Sequence, residues 1–153
     1  MSHRVSVHTA GRYARWRRAV ASAGRAALEA AKSPPAEVTV VLADDRTLRR
    51  LNRRFASLDR ATDVLSFPAE ADAAQRGARY LGDVVISVPR ARRQAASGGP
   101  PVQAELSLLA VHGVLHLLGY DHARPLQRRR MAELHARALR RLGIRLHADP
   151  LGP

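Results

Sequence analysis

Residues 102–122 read VQAELSLLAVHGVLHLLGYDH and place three histidines around one glycine. Apolar residues cover almost every side of this segment when it is drawn as a helix, which predicts a buried helix from about Val102 to Leu118. His112 and His116 are four residues apart, so their imidazoles share one helical face about 6 Å apart along the axis. That spacing allows both side chains to bind one metal ion.

The glycine at position 119 can adopt a left-handed backbone, end the helix and reverse the chain. The reversal would bring His122 beside the first two histidines. Three neutral imidazoles with one open position are typical of catalytic zinc, because structural zinc normally takes four protein ligands. The chain has no cysteine to supply a fourth. We therefore predict one Zn²⁺ per chain bound by His112, His116 and His122, although histidine also suits other first-row metals. The alternative is a set of polar residues on an apolar helix.

The composition predicts a single domain covering residues 1–153. This length is sufficient to bury a core, and 46% of the residues are hydrophobic. The absence of cysteine excludes a disulfide scaffold and fits a reducing cytosol, so we expect a cytoplasmic protein. The most apolar stretch, from Leu106 to Leu118, is too short to span a membrane. The arginine-rich N-terminus leaves a transit peptide open, but a strand-like Val5–Val7 favours its belonging to the fold.

Charge gives the second strong signal. The chain has 26 basic residues against 13 acidic ones, a formal charge of +13, and Lys32 is its only lysine. A GC-rich coding bias explains arginine in place of lysine, but it does not explain the excess of positive charge. Arginine pairs with phosphate through two parallel hydrogen bonds and stacks on bases. We therefore expect a polyanionic partner, with nucleic acid or a ribonucleoprotein ahead of an anionic membrane surface.

Hydrophobic periodicity predicts strands and helices that alternate along the chain. A single compact domain would contain a small mixed β-sheet of about four strands, covered by about five helices that include the buried metal-ligand helix. The predicted strands are Val5–His8, Glu37–Leu42, Thr62–Phe67 and Leu81–Val88. The predicted helices are Arg12–Ala31, one capped by Asp44 or Asp45, a short one opened by Pro89, the Val102–Leu118 helix, and one from Pro125 to Gly143.

The three histidines and the glycine have the spacing of the zinc-peptidase motif His-Glu-x-x-His-x-x-Gly-x-x-His. Gly113, however, occupies the position of the glutamate that serves as the general base. Peptide hydrolysis requires protonation of the leaving amine, so the missing carboxylate disfavours a peptidase. A phosphodiester requires an oxygen nucleophile and charge neutralisation, and a metal ion with nearby arginines can supply much of both.

Residues 112–122 also resemble the signature of the YbeY family, bacterial endoribonucleases of rRNA maturation. Two other segments agree in order and spacing: Leu51-Asn52 followed by residues 62–68 (TDVLSFP), and residues 81–87 (LGDVVIS). This resemblance implies a single α+β domain, zinc bound by three histidines, and cleavage of single-stranded RNA. It also implies processing of the 3′ end of small-subunit rRNA and a role in ribosome quality control.

One position departs from the family pattern. The family usually carries Tyr-Arg-Gly shortly after Leu-Asn, and its arginine faces the metal cleft. Here residues 55–57 read Phe-Ala-Ser, so Ala56 replaces that arginine. We predict that Arg60 supplies the catalytic charge, with Arg53 or Arg54 as the alternative source, and that Arg53, Arg54 and Arg128 bind RNA. Each of these arginines has the alternative of a solvated position on the surface.

Four further residues have alternative roles. Asp121 is assigned to the catalytic set because it can accept a hydrogen bond from a ligand imidazole, but it can equally cap the turn. His135 and His147 could approach the metal, although surface positions are favoured for both. Tyr120 is expected to pack against the turn.

The sequence thus predicts a single-strand-specific endoribonuclease in which metal-activated water attacks a phosphodiester. Its expected partners are RNA, especially small-subunit rRNA, and the ribosomal subunit or its associated proteins, with no membrane. One alternative is a non-catalytic ribosome-assembly factor with a structural zinc. A less favoured alternative is a zinc peptidase or amidase.

Overall fold

The computed structural model describes residues 3–54, 64–70, 78–121 and 123–145, apart from the side chains of Asn52 and Arg54. These residues form a four-stranded sheet, five α-helices and one 3₁₀-helix. The strands are β1 (Arg4–Thr9), β2 (Ala36–Ala43), β3 (Val64–Pro68) and β4 (Arg79–Ser87). The helices are α1 (Arg17–Ala30), α2 (Asp45–Arg54), α3 (Val88–Ala96), α4 (Val102–Leu117) and α5 (Pro125–Arg141), and the 3₁₀-helix is Gly11–Trp16.

The sheet is mixed, as predicted. Its strand order is β1-β2-β4-β3, with β1, β2 and β4 parallel and β3 antiparallel to β4 at one edge. Parallel strands require crossover connections, and the helical segments between them provide these. The carboxyl ends of β1, β2 and β4 therefore meet at one edge of the sheet. The predicted α+β class, with about four strands and about five helices, is confirmed.

The two faces of the sheet carry different layers. The main core packs α1 and α4 against one face, where Val40 and Val84 are fully buried, and α5 packs on α1 and α4. A smaller cluster packs Leu48 of α2 against Leu65 and Val85. Because successive side chains of a strand point to opposite faces, α4 and α2 lie on opposite sides of β4. No helix in the described part of the chain is long and apolar enough to cross a membrane.

The prediction that the first α-helix begins at Arg12 was wrong. Residues 11–16 form a 3₁₀-helix, and the α-helix begins only at Arg17. Tyr13 and Trp16 are both buried, at 3% and 6% exposure. A 3₁₀-helix aligns residues three apart on one side, and this alignment turns both rings towards the core.

Two aspartates fix the start of α2. Asp44 caps the helix, because its carboxylate accepts a hydrogen bond of 2.8 Å from the Thr47 N–H. Asp45 instead accepts hydrogen bonds from the hydroxyl of Ser87, at 2.6 Å, and from the guanidinium of Arg93, at 2.7 Å. Asp45 thus joins α2 to the end of β4 and to α3.

We expect Asp45→Asn to lower the free energy of unfolding by about 1–2 kcal/mol at pH 7, because hydrogen bonds to a charged group are lost. Burial raises the pKa of Asp45, but the hydrogen bonds from Ser87 and Arg93 outweigh burial and hold it below its usual range. A lowered pKa stabilises the fold above the unfolded value of about 3.9 and loses that effect as the pH falls through the folded value.

Urea unfolding of wild type and Asp45→Asn at pH 7 and pH 3 measures this dependence. The difference in the free energy of unfolding between the two proteins should be smaller at pH 3 than at pH 7. A difference that is the same at both pH values would contradict the assignment. Glu133→Gln is the matched control, because Glu133 pairs with Arg130 on the surface with both side chains at least half exposed.

Candidate metal centre

Two of the predicted ligands lie on a rigid support. α4 is buried along most of its length, and Ala110, Val111, Val114 and Leu115 have no exposed surface. His112 and His116 are partly exposed on the same helix, with ring centroids 4.9 Å apart and planes inclined by 59°. Two tilted imidazoles at this separation can direct one nitrogen each towards a common point. Both lie in the C-terminal half of α4, where the helix dipole favours a cation.

The turn after α4 has the predicted form. Gly119 has a φ of +102°, in the left-handed region. Its N–H donates to the carbonyl of His116 at 2.9 Å, and the N–H of Tyr120 donates to the carbonyl of Leu115 at 3.1 Å. This pair of bonds is the Schellman motif, which ends a helix and reverses the chain. Tyr120, which was expected to pack against the turn, packs against the main core.

His122, the third predicted ligand, lies outside the described residues. In the part of the chain that the structure describes, no three histidine or acidic side chains are grouped to hold a metal. Asp121, the residue before His122 in the sequence, accepts a hydrogen bond of 2.9 Å from the N–H of Ala123. The carboxylate therefore caps the turn, one of its two predicted roles. Its hydrogen bond to a ligand imidazole stays a prediction.

Gly113 faces the sheet. A Cβ atom at this position would lie 2.4 Å from Cγ1 of Val84, a contact that real structures do not show. The hydroxyl of Ser66, on the edge strand β3, donates to the Gly113 carbonyl at 3.3 Å. The helix thus approaches the sheet closely at this point. The position of the peptidase glutamate is consequently filled by the sheet, which leaves no room for a carboxylate.

The prediction that His135 lies on the surface was wrong. His135 has no exposed surface, and its ring centroid lies 6.3 Å from that of His112. It follows Met131 by one helical turn and lies on the buried face of α5 with Leu134 and Ala138. This periodicity was available in the sequence and could have identified a buried imidazole close to His112. His147 lies outside the described residues.

The predicted arginines are placed only in part. Arg53 is exposed on α2, on the side of the sheet opposite to α4, and Arg128 is exposed in the first turns of α5. The side chain of Arg54, all of Arg60, and residues 55–57 lie outside what the structure describes. The roles of these arginines therefore stay predictions.

Comparison with known proteins identifies close relatives. A family described as Endoribonuclease YbeY matches residues 3–143. A protein named Endoribonuclease YbeY from Anaeromyxobacter dehalogenans is 49% identical over 92% of this chain and 70% of its own length. Proteins of the same name from Gloeobacter violaceus and Myxococcus xanthus are 46% and 48% identical over 76% and 71% of this chain. These alignments span 62% and 37% of the two relatives, less than two thirds of their length.

One solved structure has a related fold. The solution structure of TM1509 from Thermotoga maritima superposes with a TM-score of 0.55 and covers 90% of each chain at 20% identity. At this identity the likeness supports the arrangement of the elements alone.

Proposed function

The chain belongs to the Endoribonuclease YbeY family, and from this premise we propose that it is a metal-dependent endoribonuclease that cleaves single-stranded RNA. Its proposed role is maturation of the 3′ end of small-subunit rRNA and ribosome quality control in the cytoplasm. The proposed partners are the ribosomal subunit and its associated proteins. The observation that carries the proposal is the pair of partly exposed imidazoles, His112 and His116, on a buried helix that ends in a chain reversal.

The donor set fits zinc. Imidazole nitrogens bind zinc at about 2.0–2.1 Å, and two rings on one face four residues apart can both reach a single ion. The proposed third ligand is His122, which follows Gly119 by three residues in the sequence. A zinc ion bound by three histidines supplies Lewis acidity and lowers the pKa of water to about 7.

In this proposal, side chains of the protein position the ligands and bind the RNA. His112 and His116 are fixed by packing of α4, so the imidazoles are held in place before RNA binds. Asp121 fixes the turn that leads to His122. Arginines bind and orient the phosphates, and the proposed residues are Arg53, Arg54, Arg60 and Arg128. Arg60 is proposed to supply the charge that Ala56 does not.

The close contact at Gly113 favours RNA over peptide as substrate. The sheet occupies the direction in which the glutamate of a zinc peptidase would extend. A protonated group for a leaving amine is therefore missing from this position, whereas a leaving alkoxide can be stabilised by arginine and metal charge. The formal charge of +13 favours the same substrate.

Removal of the metal tests the proposal. We expect purified protein to cleave a single-stranded RNA, to lose cleavage after chelation, and to regain it when one equivalent of Zn²⁺ is added. Cleavage of an RNA duplex and of a peptide should stay near background. Circular dichroism of the chelated protein gives the control, because the main core consists of apolar side chains and includes none of the proposed metal ligands.

The same experiment distinguishes a nuclease from the alternative, a non-catalytic assembly factor in which zinc is structural. If chelation unfolds the protein and the intact, zinc-loaded protein shows no turnover on single-stranded RNA, zinc acts as a structural element and the nuclease proposal fails. Retained cleavage in fully metal-free protein would also overturn it.

A further inference from the structure

Three arginines gather at the edge of the sheet where β1, β2 and β4 end. Arg12 and Arg15 lie on the 3₁₀-helix that follows β1, and Arg92 lies on α3, which follows β4. All three are exposed, and we call them the carboxyl-edge arginines. They lie on elements that carry none of the proposed metal ligands.

Two aromatic rings hold these arginines in place. The guanidinium of Arg15 lies 4.3 Å from the ring centroid of Trp16, and that of Arg12 lies 5.0 Å from the centroid of Tyr13. Arg92 contacts both rings, at 5.2 Å from Trp16 and 5.8 Å from Tyr13. The rings themselves are buried, so they support the arginines but are not available to stack on a base.

Stacking on a ring uses one face of a guanidinium and leaves its N–H donors at the edge for a ligand. A planar group held by two rigid rings also loses less conformational entropy when it binds than a mobile side chain does. The carboxyl-edge arginines are therefore prepared to pair with the oxygens of phosphate groups.

The charge in this region is poorly neutralised. Segments 10–18 and 88–96 contain seven arginines and no acidic residue. Asp45 pairs with Arg93 at 2.7 Å, and Asp44 pairs with Arg12 at 3.5 Å, a weak pair because both side chains are exposed. Five of the seven arginines have no acidic partner in these pairs. Neither Arg15 nor Arg92 forms a salt bridge with an acid among the described residues. A polyanion would relieve the repulsion between them.

We propose that the carboxyl-edge arginines bind the phosphodiester backbone of RNA, as a surface separate from the metal centre. The inference rests on the proposed function, because it assigns the same substrate a second contact. A backbone contact of this kind is independent of base sequence and would hold an RNA longer than the few nucleotides that the metal centre itself engages.

The experiment measures binding of a single-stranded RNA of about 20 nucleotides by fluorescence anisotropy, with His116→Ala as background in every protein so that the RNA stays intact. The length exceeds the site size of about 4–16 nucleotides that small single-strand-binding folds cover. The test protein adds Arg15→Gln and Arg92→Gln. The control adds Arg25→Gln and Arg140→Gln, two exposed arginines on α1 and α5, so that the change in net charge is the same.

We expect the test pair to weaken binding about 10-fold or more at about 0.1 M salt, and to reduce the slope of log K against log[salt] by about 1.4, since each lost phosphate contact on a single strand removes about 0.7. The control pair should change binding less than about 3-fold, because its charges lie outside the contact and are screened. Equal losses in the two pairs would overturn the proposal.

Two further measurements test the need for guanidinium groups and the alternative of a lipid partner. Arg15→Lys with Arg92→Lys keeps the charge and serves if the glutamine pair misfolds. Its affinity for the RNA should fall below that of the protein with both arginines in place, and an unchanged affinity would overturn the need for stacked guanidinium groups.

Vesicles of phosphatidylcholine and phosphatidylglycerol test whether the partner is instead an anionic membrane surface. Weaker vesicle binding by the test pair, with RNA binding unchanged, would replace RNA by a lipid surface.

Failure of the proposed function can be recognised separately. If the wild-type protein with zinc cleaves no RNA, the nuclease proposal fails, while the binding comparison still decides the role of the carboxyl-edge arginines. If wild type cleaves RNA and the test and control pairs bind alike, only the RNA-binding role of the carboxyl-edge arginines fails.

Discussion

His116→Ala is expected to abolish stoichiometric zinc binding and to lower RNA cleavage by about 10³-fold or more. Two of the three proposed imidazoles would remain, and a site with one ligand removed holds zinc far more weakly. Loss of the metal removes several kcal/mol of transition-state stabilisation, and about 4 kcal/mol corresponds to a thousandfold change in rate. Metal analysis after gel filtration and a single-strand cleavage assay measure the two effects.

The fold should survive this substitution. His116 is partly exposed and the packing of α4 rests on its apolar residues, so thermal unfolding should change by a few degrees at most. His8→Ala is the matched control, because it removes an exposed histidine from β1 and should leave both zinc content and cleavage unchanged. Unchanged cleavage by a zinc-free His116→Ala protein would sink the proposed mechanism, and equal losses in both variants would show that the effect is not specific to the proposed metal ligand.

The local part of the metal centre could be predicted from sequence. Helical geometry fixes the relation between residues four apart, so the spacing of His112 and His116 was sufficient to place both rings together. The turn at Gly119 was predictable for the same reason, since a glycine after a run of apolar residues supplies the left-handed backbone that ends a helix. Both depend on short-range rules that hold in any fold.

The contacts between distant segments could not be predicted in this way. The fit of Gly113 against Val84 joins residues on a helix and a strand, and sequence alone shows only that a glutamate is missing. The arginines beside Tyr13 and Trp16 come from two segments that are about 80 residues apart in the chain. Sequence gives the number of arginines, but only the parallel arrangement of β1 and β4 brings them to one edge. The burial of His135 was within reach of the 3.6-residue period, whereas its residue type does not decide its burial, because histidine is intermediate between the buried and the exposed residue types.

Gly113→Ala is the second substitution with a large expected effect, and it acts on stability. In an open helical position this change stabilises a protein by about 1 kcal/mol, because alanine has the higher helix propensity. At position 113 the new Cβ would lie 2.4 Å from Val84, which is fully buried. Valine is branched at Cβ and has restricted rotation, so it cannot turn away without disturbing its own packing. We expect a net loss of about 1–3 kcal/mol in the free energy of unfolding.

The partner substitution reverses the sign of the effect, which makes the cause testable. In a Val84→Ala background the obstructing methyl groups are absent, so Gly113→Ala should become neutral or stabilising, while Val84→Ala alone destabilises by leaving a cavity. The double-mutant cycle measured by urea unfolding therefore predicts a coupling energy of about 1–3 kcal/mol. Gly11→Ala is the control, because a Cβ there meets nothing within 4 Å and the change should be close to neutral. A Gly113→Ala effect that is the same in both backgrounds would show that α4 does not approach the sheet through Val84. Steric exclusion by the sheet would then no longer explain why a carboxylate is absent beside the metal.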